Sequence, residues 1–214
     1  MPFTLAPLQK EDIQASVEIY FLAFQNAHSL ACWPRTPSIQ AWWTEMLDNE
    51  LTEPGAHWVK TIDSQTGELA GFGKWQEPKP GVSVDDVLPE WPREADGELC
   101  QRTFGEWARR HRDLMGARGH WYLEIVATHP KFQGQGAGSL MLRYGTERAD
   151  AAGVEAYLEA SPEAVPLYEK FGFREVGRTD TFINNERVKE TWYRNLFMLR
   201  PAKRHEEITE SGLV

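Results

Sequence analysis

The chain opens with alternating apolar and polar residues and continues with a helical repeat. Residues 3–8 alternate as a strand does, whereas the apolar positions between residues 12 and 24 recur at helical spacing. A second helix is predicted after Thr36 or Ser38, either of which can cap it, with Trp42 and Leu47 on its apolar face. Residues 58–62 and 68–75 flank the turn-rich stretch SQTG, which predicts an antiparallel hairpin.

The second half of the chain alternates between strand and helix patterns. Residues 78–97 are rich in proline, glycine and acidic residues, which predicts a loop or lid. A helix is predicted over residues 98–115, ending near Gly116. The stretch HWYLEIVAT at residues 120–128 is typical of a strand and leads through a glycine loop into a helix over 138–152, which Gly153 ends. A strand over 154–160, a short helix over 162–171 and closing strands over 173–176 and 192–199 are predicted next.

Composition narrows the class of protein. With 41% hydrophobic residues in 214, the chain can bury the core of one domain, and a net charge of −9 argues against nucleic acid as a partner. Cys32 and Cys100 are too few for a disulfide framework and form no CxxC pair. We see no signal-peptide pattern and no apolar run of about 18 residues, which predicts a cytoplasmic protein with no membrane partner. The nine tryptophans suggest that some line a cavity, because each buried indole N–H needs a partner.

A glycine loop precedes the helix over 138–152. Residues 133–139 read QGQGAGS, and Gly134, Gly136 and Gly138 would expose backbone N–H groups at the positive end of a helix, where a pyrophosphate binds well. A turn that only links strand to helix is the structural alternative. A P-loop needs a lysine before Ser139, and a dinucleotide fingerprint would need glycine in place of Ser139 and a second βαβ half. A nucleotide-binding Rossmann-like protein is therefore the poorer interpretation.

Two motifs in this region resemble those of a known family. The stretch VATHPKFQGQGAGSLML is similar to the central motif of the GCN5-related N-acetyltransferases (GNAT), whose pattern [QR]xxGx[GA] is met by Gln133, Gly136 and Gly138. Downstream, PLYEKFGF resembles the C-terminal motif of the same family, with Tyr168 and Gly172 in place. Two motifs in the right order are more specific than one glycine loop, and the resemblance covers about residues 58–199.

The resemblance implies a fold and a domain plan. We expect an α/β (α+β) domain with the GNAT fold, in which a central mixed, mostly antiparallel sheet has splayed fourth and fifth strands and helices on both faces. Residues 1–200 would form this single domain, residues 78–119 an insertion or lid that carries a helix, and residues 201–214 a loose tail. The protein would be a monomer or a homodimer.

The resemblance also implies acetyl-CoA as a cosubstrate. Its pyrophosphate would lie on the amides of the loop, and backbone groups of Val126 and Thr128 would bind the pantetheine arm, with the Val126 amide near the thioester carbonyl. The loop residues implied are Gln133, Gly134, Gln135, Gly136, Ala137, Gly138 and Ser139. Ser161 stands where many relatives place an asparagine, so it either contacts the cofactor or caps the helix that Pro162 begins.

Two residues are candidates for proton transfer. Tyr168 stands where the family often has its general acid, although it could be a buried aromatic residue with a satisfied hydroxyl. Glu124 is a carboxylate within an apolar strand, and burial would raise its pKa toward that of a general base. Its alternatives are a solvent-facing residue or a structural ion pair. Tyr122 shares its face and could assist or replace it through water.

The acceptor site is the least specified part of the prediction. Trp33 and Trp42 lie in the helical region that borders the acceptor in the family, and the lid adds Trp91 and Trp107, although each could belong to the core. No HxxH or HExxH spacing occurs, so no metal is predicted. The leading hypothesis is acetyl transfer to a primary amine of a small molecule by direct attack. A noncatalytic acyl-CoA-binding sensor and a peptide or protein amine acetyltransferase are the alternatives.

Overall fold

A single seven-stranded sheet organises the molecule. The structure is a computed structural model that describes residues 2–79, 81–84 and 87–203. The strands are β1 (Phe3–Pro7), β2 (Ala56–Asp63), β3 (Leu69–Gln76), β4 (His120–Thr128), β5 (Glu155–Ala160), β6 (Arg174–Ile183) and β7 (Thr191–Arg200). They lie in the order β1-β2-β3-β4-β5-β7-β6, and among the described strands only β4 and β5 pair in parallel. The mixed, mostly antiparallel sheet predicted from the family resemblance is confirmed.

Helices cover both faces of the sheet. They are α1 (Ile13–Ala23), α2 (Ala27–Cys32), α3 (Pro37–Glu50), α4 (Gly97–Met115), α5 (Ala137–Ala152) and α6 (Val165–Lys170). Phe72 packs with α1, α2 and α3 in one core, whereas Trp75 packs with α5 and α6 in another. Because side chains an odd number of residues apart in a strand point to opposite faces, Phe72 and Trp75 show that the sheet separates these two helical layers.

Helix α5 approaches the sheet closely. It ends at Gly153, whose φ of 65° is the left-handed conformation that commonly ends a helix. A Cβ at Gly145 would lie 2.2 Å from the Trp75 ring, and the Trp75 indole donates a hydrogen bond to the Met141 carbonyl at 3.0 Å. Glycine is therefore required at 145, and the close contact fixes the helix, and the loop before it, against β3.

Several element boundaries differ from the prediction. Helix α2 was not predicted, α6 begins at Val165 instead of Pro162, and β6 extends to Ile183. The side chain of Thr36, one of the two predicted caps, accepts from the Ile39 N–H at 3.4 Å and caps α3. The predicted loose tail falls largely on residues outside those described. Among the described residues, no helix is long and apolar enough to cross a membrane.

Candidate active site

One cleft opens where β4 and β5 separate. The two strands pair only from His120 opposite Glu155 to Leu123 opposite Leu158, whereas β4 continues alongside β3 as far as Thr128. Within the described part of the chain, the far edge of residues 124–128 therefore has no strand partner. Such an edge offers N–H and C=O groups to a ligand. The cleft has a volume of about 1580 Å³ and reaches from the glycine loop to α1, α3 and α4.

The glycine loop forms an anion cradle at one end of this cleft. Gly134 and Gly136 have φ of 73° and 102°, in the left-handed region. The Gln133 side chain donates to the Thr128 carbonyl at 3.0 Å and holds the loop on β4. In the described structure, no backbone N–H of residues 134–139 donates to a protein acceptor. These groups and the N-terminus of α5 together favour a phosphate.

The loop also has space for a ligand. A Cβ at Gly134 or Gly136 would meet no atom within 4 Å, so these glycines are required for backbone conformation and close approach, not for packing. The predicted cofactor residues that line the cleft are Val126, Thr128, Gln133, Gly134, Gly136, Gly138, Ser139 and Ser161. The other two do not line it, because Ala137 is buried and the Gln135 side chain donates to the Lys131 carbonyl at 2.8 Å.

A β-bulge places Glu124 in the cleft. Lys74 is opposite Ile125 and Trp75 is opposite Leu123, so Glu124 is an extra residue in β4. A bulge turns the strand locally and re-aims a side chain. Glu124 and its neighbour Ile125 consequently lie on the same face of the sheet, the face covered by α1 and α3.

A buried lysine joins Glu124 to two further carboxylates. The Lys74 Nζ lies 2.8 Å from Glu124 Oε2, 2.8 Å from Glu50 Oε2 and 3.1 Å from Glu53 Oε2, and the lysine side chain is only 3% exposed. It also lies over the Trp58 ring at 5.5 Å. Three carboxylates surround one ammonium, so the cluster is net negative. We call Lys74, Glu50, Glu53 and Glu124 the carboxylate cluster.

The carboxylate cluster sets the protonation of its members. Desolvation in the cleft raises the pKa of Glu124, although its side chain is 34% exposed; Lys74 opposes that rise, and the negative charges of Glu50 and Glu53 add to it. For Lys74, burial alone would lower the pKa, but Glu124 and Glu50 outweigh it and hold the pKa above its ordinary value. Lys74 is therefore a permanent cation, and the pKa of Glu124 is shifted toward neutral pH.

Tyr168 lies on α6 and lines the same cleft. Its side chain is buried against Phe173, and among the described residues its hydroxyl has no hydrogen-bond partner. Burial raises the pKa of Tyr168, and the charge of Glu159 raises it further. The phenol therefore keeps its proton at neutral pH, as a general acid must.

Ser161 and Tyr122 also line the cleft, near the point where β4 and β5 separate. Ser161 follows the last residue of β5, and its carbonyl accepts from the Ala164 N–H at 3.0 Å. The alternative in which Ser161 caps the next helix is wrong, because α6 begins at Val165 and no side chain caps it. The Tyr122 hydroxyl donates to Glu159 Oε2 at 2.8 Å.

Aromatic side chains line the cleft between α1, α2, α3 and α4. The rings of Trp33 and Trp42 stack at 5.5 Å, Trp91 stacks on Phe104 at 5.4 Å, and Phe104 meets Trp107 edge-on at 5.0 Å. We call Trp33, Trp42, Trp91, Phe104 and Trp107 the aromatic wall. The His28 ring contacts Phe104 and Trp107, and burial lowers the pKa of His28 to about 4, so this histidine adds no charge at neutral pH.

Several side chains of this site were not singled out in the sequence. Lys74 lies in GKW within an ordinary hairpin strand, and Glu50 and Glu53 are more than twenty positions away from it. The bulge and the sheet register bring these residues together, and no spacing rule predicts that. Asn195 and Tyr193 of β7 also line the cleft. No group of three or more potential metal ligands was found in the described part of the chain.

Comparison with known proteins gives one family and many similar folds. The family model described as "Acetyltransferase (GNAT) family" matches residues 17–173. Among solved structures, a histone acetyltransferase HPA2 and related acetyltransferase from Corynebacterium glutamicum is 23% identical with a TM-score of 0.61, the match covering 95% of this chain and 98% of that one.

Two further structures carry different acceptors in their names. A phosphinothricin acetyltransferase from Sinorhizobium meliloti, in complex with AcCoA, is 18% identical with a TM-score of 0.58, over 94% of this chain and 89% of that one. The ribosomal-protein-S18-alanine N-acetyltransferase from Escherichia coli is 17% identical with a TM-score of 0.55, over 94% of this chain and 95% of that one. At these identities the likeness shows a shared fold.

Proposed function

The chain belongs to the GNAT family of acetyltransferases, and from this membership we propose that it moves an acetyl group from acetyl-CoA to a primary amine of a small molecule by direct attack. One observation carries the proposal. Gly134, Gly136, Gly138 and Ser139, whose N–H groups have no protein acceptor among the described residues, line the same cleft as Glu124 and Tyr168. A phosphate cradle, a candidate base and a candidate acid thus share one continuous space.

On the donor side, the chain would bind acetyl-CoA and orient its thioester. The N–H groups of residues 134–139 would hold the pyrophosphate, and the open edge of β4 at Val126 and Thr128 would hold the pantetheine arm as an added strand. Ser161 lines the cleft where the two strands part and could donate its hydroxyl hydrogen to that arm. Bound acetyl-CoA supplies an activated acyl thioester.

On the acceptor side, Glu124 would accept a proton from the ammonium group of the acceptor. The freed amine nitrogen then bonds to the thioester carbonyl carbon, the bond from carbon to sulfur breaks, and Tyr168 would give its proton to the departing sulfur. The proton that the nitrogen loses as it becomes an amide would return to the Tyr168 oxygen through water and restore the phenol. The raised pKa of Glu124 suits a base, and the raised pKa of Tyr168 suits an acid that is protonated beforehand.

The shape of the cleft supports a small acceptor. Trp91, Phe104 and Trp107 come from the segment between β3 and β4, and they narrow the acceptor end together with Trp42 of α3, whose ring centroid lies 6.3 Å from that of Trp91. One structural neighbour is named for phosphinothricin, a small molecule, and another for a ribosomal protein, so the shared fold alone leaves a peptide acceptor as an alternative.

Ligand binding and transfer test the proposal separately. Acetyl-CoA, NAD and ATP are each added in a thermal-shift assay, and only acetyl-CoA should raise the melting temperature, because a ligand that prefers the folded state stabilises it. Stabilisation by NAD or ATP and not by acetyl-CoA would overturn the proposal.

Thiol release from acetyl-CoA is then followed with primary amines and with lysine-containing peptides. Release with small amines is expected. Stabilisation without release for any acceptor would favour the noncatalytic sensor, and release with peptides alone would favour the protein acetyltransferase.

We also propose a cytoplasmic enzyme that is a monomer or homodimer. The two cysteines, Cys32 and Cys100, are buried free thiols, which fits a reducing compartment. Light scattering after size-exclusion chromatography measures the oligomeric state.

A further inference from the structure

The aromatic wall leaves apolar surface inside the cleft. Trp42, Trp91, Phe104 and Trp107 are each only half-buried, although they pack against the same core as the fully buried Trp33. Their rings form a continuous set. The ring centroids of Trp33, Trp42 and Trp91 lie within 6.3 Å of one another. The Phe104 ring contacts both Trp91 and Trp107. Because apolar surface is unfavourable in contact with water, a flat apolar body would bind there favourably.

Buried hydrogen-bond donors near this wall have no protein acceptor. The indole N–H of Trp33 and that of Trp107, and the side-chain amide of Asn195, lack a partner in the part of the chain that the structure describes. Trp33 is 2% exposed and Asn195 is 3% exposed, and both line the cleft. A buried donor without an acceptor is unfavourable, because it has lost its hydrogen bond to water. An oxygen on the ligand would remove that cost.

The carboxylate cluster supplies negative charge to the same cleft. Glu50, Glu53 and Glu124 line the same cleft as the aromatic wall, and their three carboxylates share the single ammonium of Lys74. A protonated amine is attracted to this cluster, where Glu124 is placed to take its proton. A carboxylate next to that amine would instead face three like charges.

From the aromatic wall, the unpaired buried N–H donors and the carboxylate cluster, we infer that the acceptor is an arylalkylamine. In such a molecule a primary amine is joined through a short aliphatic link to an aromatic ring, and no carboxylate lies beside the amine. The inference rests on the proposed function and narrows its substrate class. The ring lies on the aromatic wall, and the amine points to Glu124 and the open edge of β4.

A panel of matched amines tests the inference. Tyramine is compared with tyrosine, which adds only the carboxylate, with n-hexylamine, which has no ring, and with spermidine, which has further charges. The kcat/KM for tyramine should exceed each of the others by about 100-fold or more. A higher or equal value for tyrosine, n-hexylamine, spermidine or a lysine peptide would overturn the inference while leaving acetyl transfer itself intact.

Variants of the wall provide a second readout. Trp42→Ala should raise the KM for tyramine about tenfold and leave the affinity for acetyl-CoA, measured by calorimetry, unchanged. Trp192→Ala is the matched control, because Trp192 is 68% exposed on β7 and does not line the cleft, and it should change neither value. Equal effects of the two substitutions on tyramine would contradict the inference.

Binding distinguishes this inference from the proposed function. Tyramine is titrated by calorimetry into the protein saturated with CoA, and binding that weakens in Trp42→Ala is expected. Absence of tyramine binding would overturn the inference even if other amines are acetylated. A protein that binds no acetyl-CoA at all would instead overturn the proposed function.

Discussion

Glu124 reaches the cleft because β4 contains one residue more than β3 at that point. In a regular strand, Glu124 and Ile125 would point to opposite faces, and only one of them could share a face with Lys74. Its position within an apolar strand made Glu124 a candidate from the sequence. Its partners could not be predicted, because they depend on the bulge and on the end of α3.

The roles of the candidate base and acid can be separated by pH. If Glu124 accepts the proton of the acceptor, Glu124→Gln should lose the acidic limb of the kcat/KM profile, and high pH should restore much of the rate because more amine is then neutral. Tyr168→Phe keeps the ring packing on Phe173 but removes the proton, so kcat should fall by about 100-fold with little change in the KM for acetyl-CoA. High pH should not rescue this variant.

One pH series on the wild type and these two variants measures both effects. An unchanged profile in Glu124→Gln would place the base elsewhere or in solvent. Rescue of Tyr168→Phe by high pH would contradict its role as the acid.

Lys74 should tune the base without contacting either substrate. Its ammonium opposes the rise in the pKa of Glu124. Removing that charge in Lys74→Met should raise the pKa further, so the acidic limb of kcat/KM should move to higher pH. Lys74→Arg retains the charge and serves as the control, with a limb close to that of the wild type. A loss of rate at every pH with no movement of the limb would mean that Lys74 has only a structural role.

At the scale of elements, long regular patterns were easier to predict than short ones. The glycine loop and α5 follow from residues 133–153, because the glycines and the helical repeat are local signals. Helix α2 has six residues and depends on its packing against α4 and β7, so its own sequence contains little signal. The polar outer half of β6 becomes a strand because β7 pairs with it as far as Ile183 opposite Thr191.

The loop before α5 gives a prediction for CoA affinity. Gly136→Asp would add a carboxylate beside the proposed pyrophosphate and should weaken binding by several kcal/mol. Because Gly136 has a φ of 102°, any side chain there is strained, and Gly136→Ala controls for that strain. Calorimetry with CoA should show a much larger loss for aspartate than for alanine. Equal losses would indicate strain alone and would remove the pyrophosphate from this loop.

At the scale of the whole molecule, the cleft joins a donor end that carries a recognisable motif to an acceptor end that carries none. Residues 126–142 resemble the central family motif, and the donor end was predictable for that reason. The acceptor end brings together Trp42 of α3, Trp91 and Phe104 of the segment before β4, and Asn195 of β7. These residues lie far apart in the sequence, so only the tertiary structure shows that they meet.

The proposed lid gives a prediction at this scale. Val84, Leu88 and Pro89 line the cleft, whereas the following helix α4 contributes Leu99 and Cys100 to the core. Replacing residues 82–89 by a short glycine-serine linker should therefore spare the fold and raise the acceptor KM much more than that for acetyl-CoA. Steady-state kinetics with both substrates varied measures the two constants. Equal changes in both would mean that the segment is only a surface insertion.

Because most tryptophans line the cleft, the intrinsic fluorescence of the protein should report on ligand binding there. Six of the nine tryptophans line it, namely Trp33, Trp42, Trp43, Trp58, Trp91 and Trp107, and Trp192 is the one large indole exposed elsewhere among the described residues. Intrinsic emission excited near the red edge of indole absorption therefore comes largely from the acceptor end. A bound aromatic amine would quench or shift that emission, so occupancy could be followed in real time without a label, a coupled enzyme or turnover.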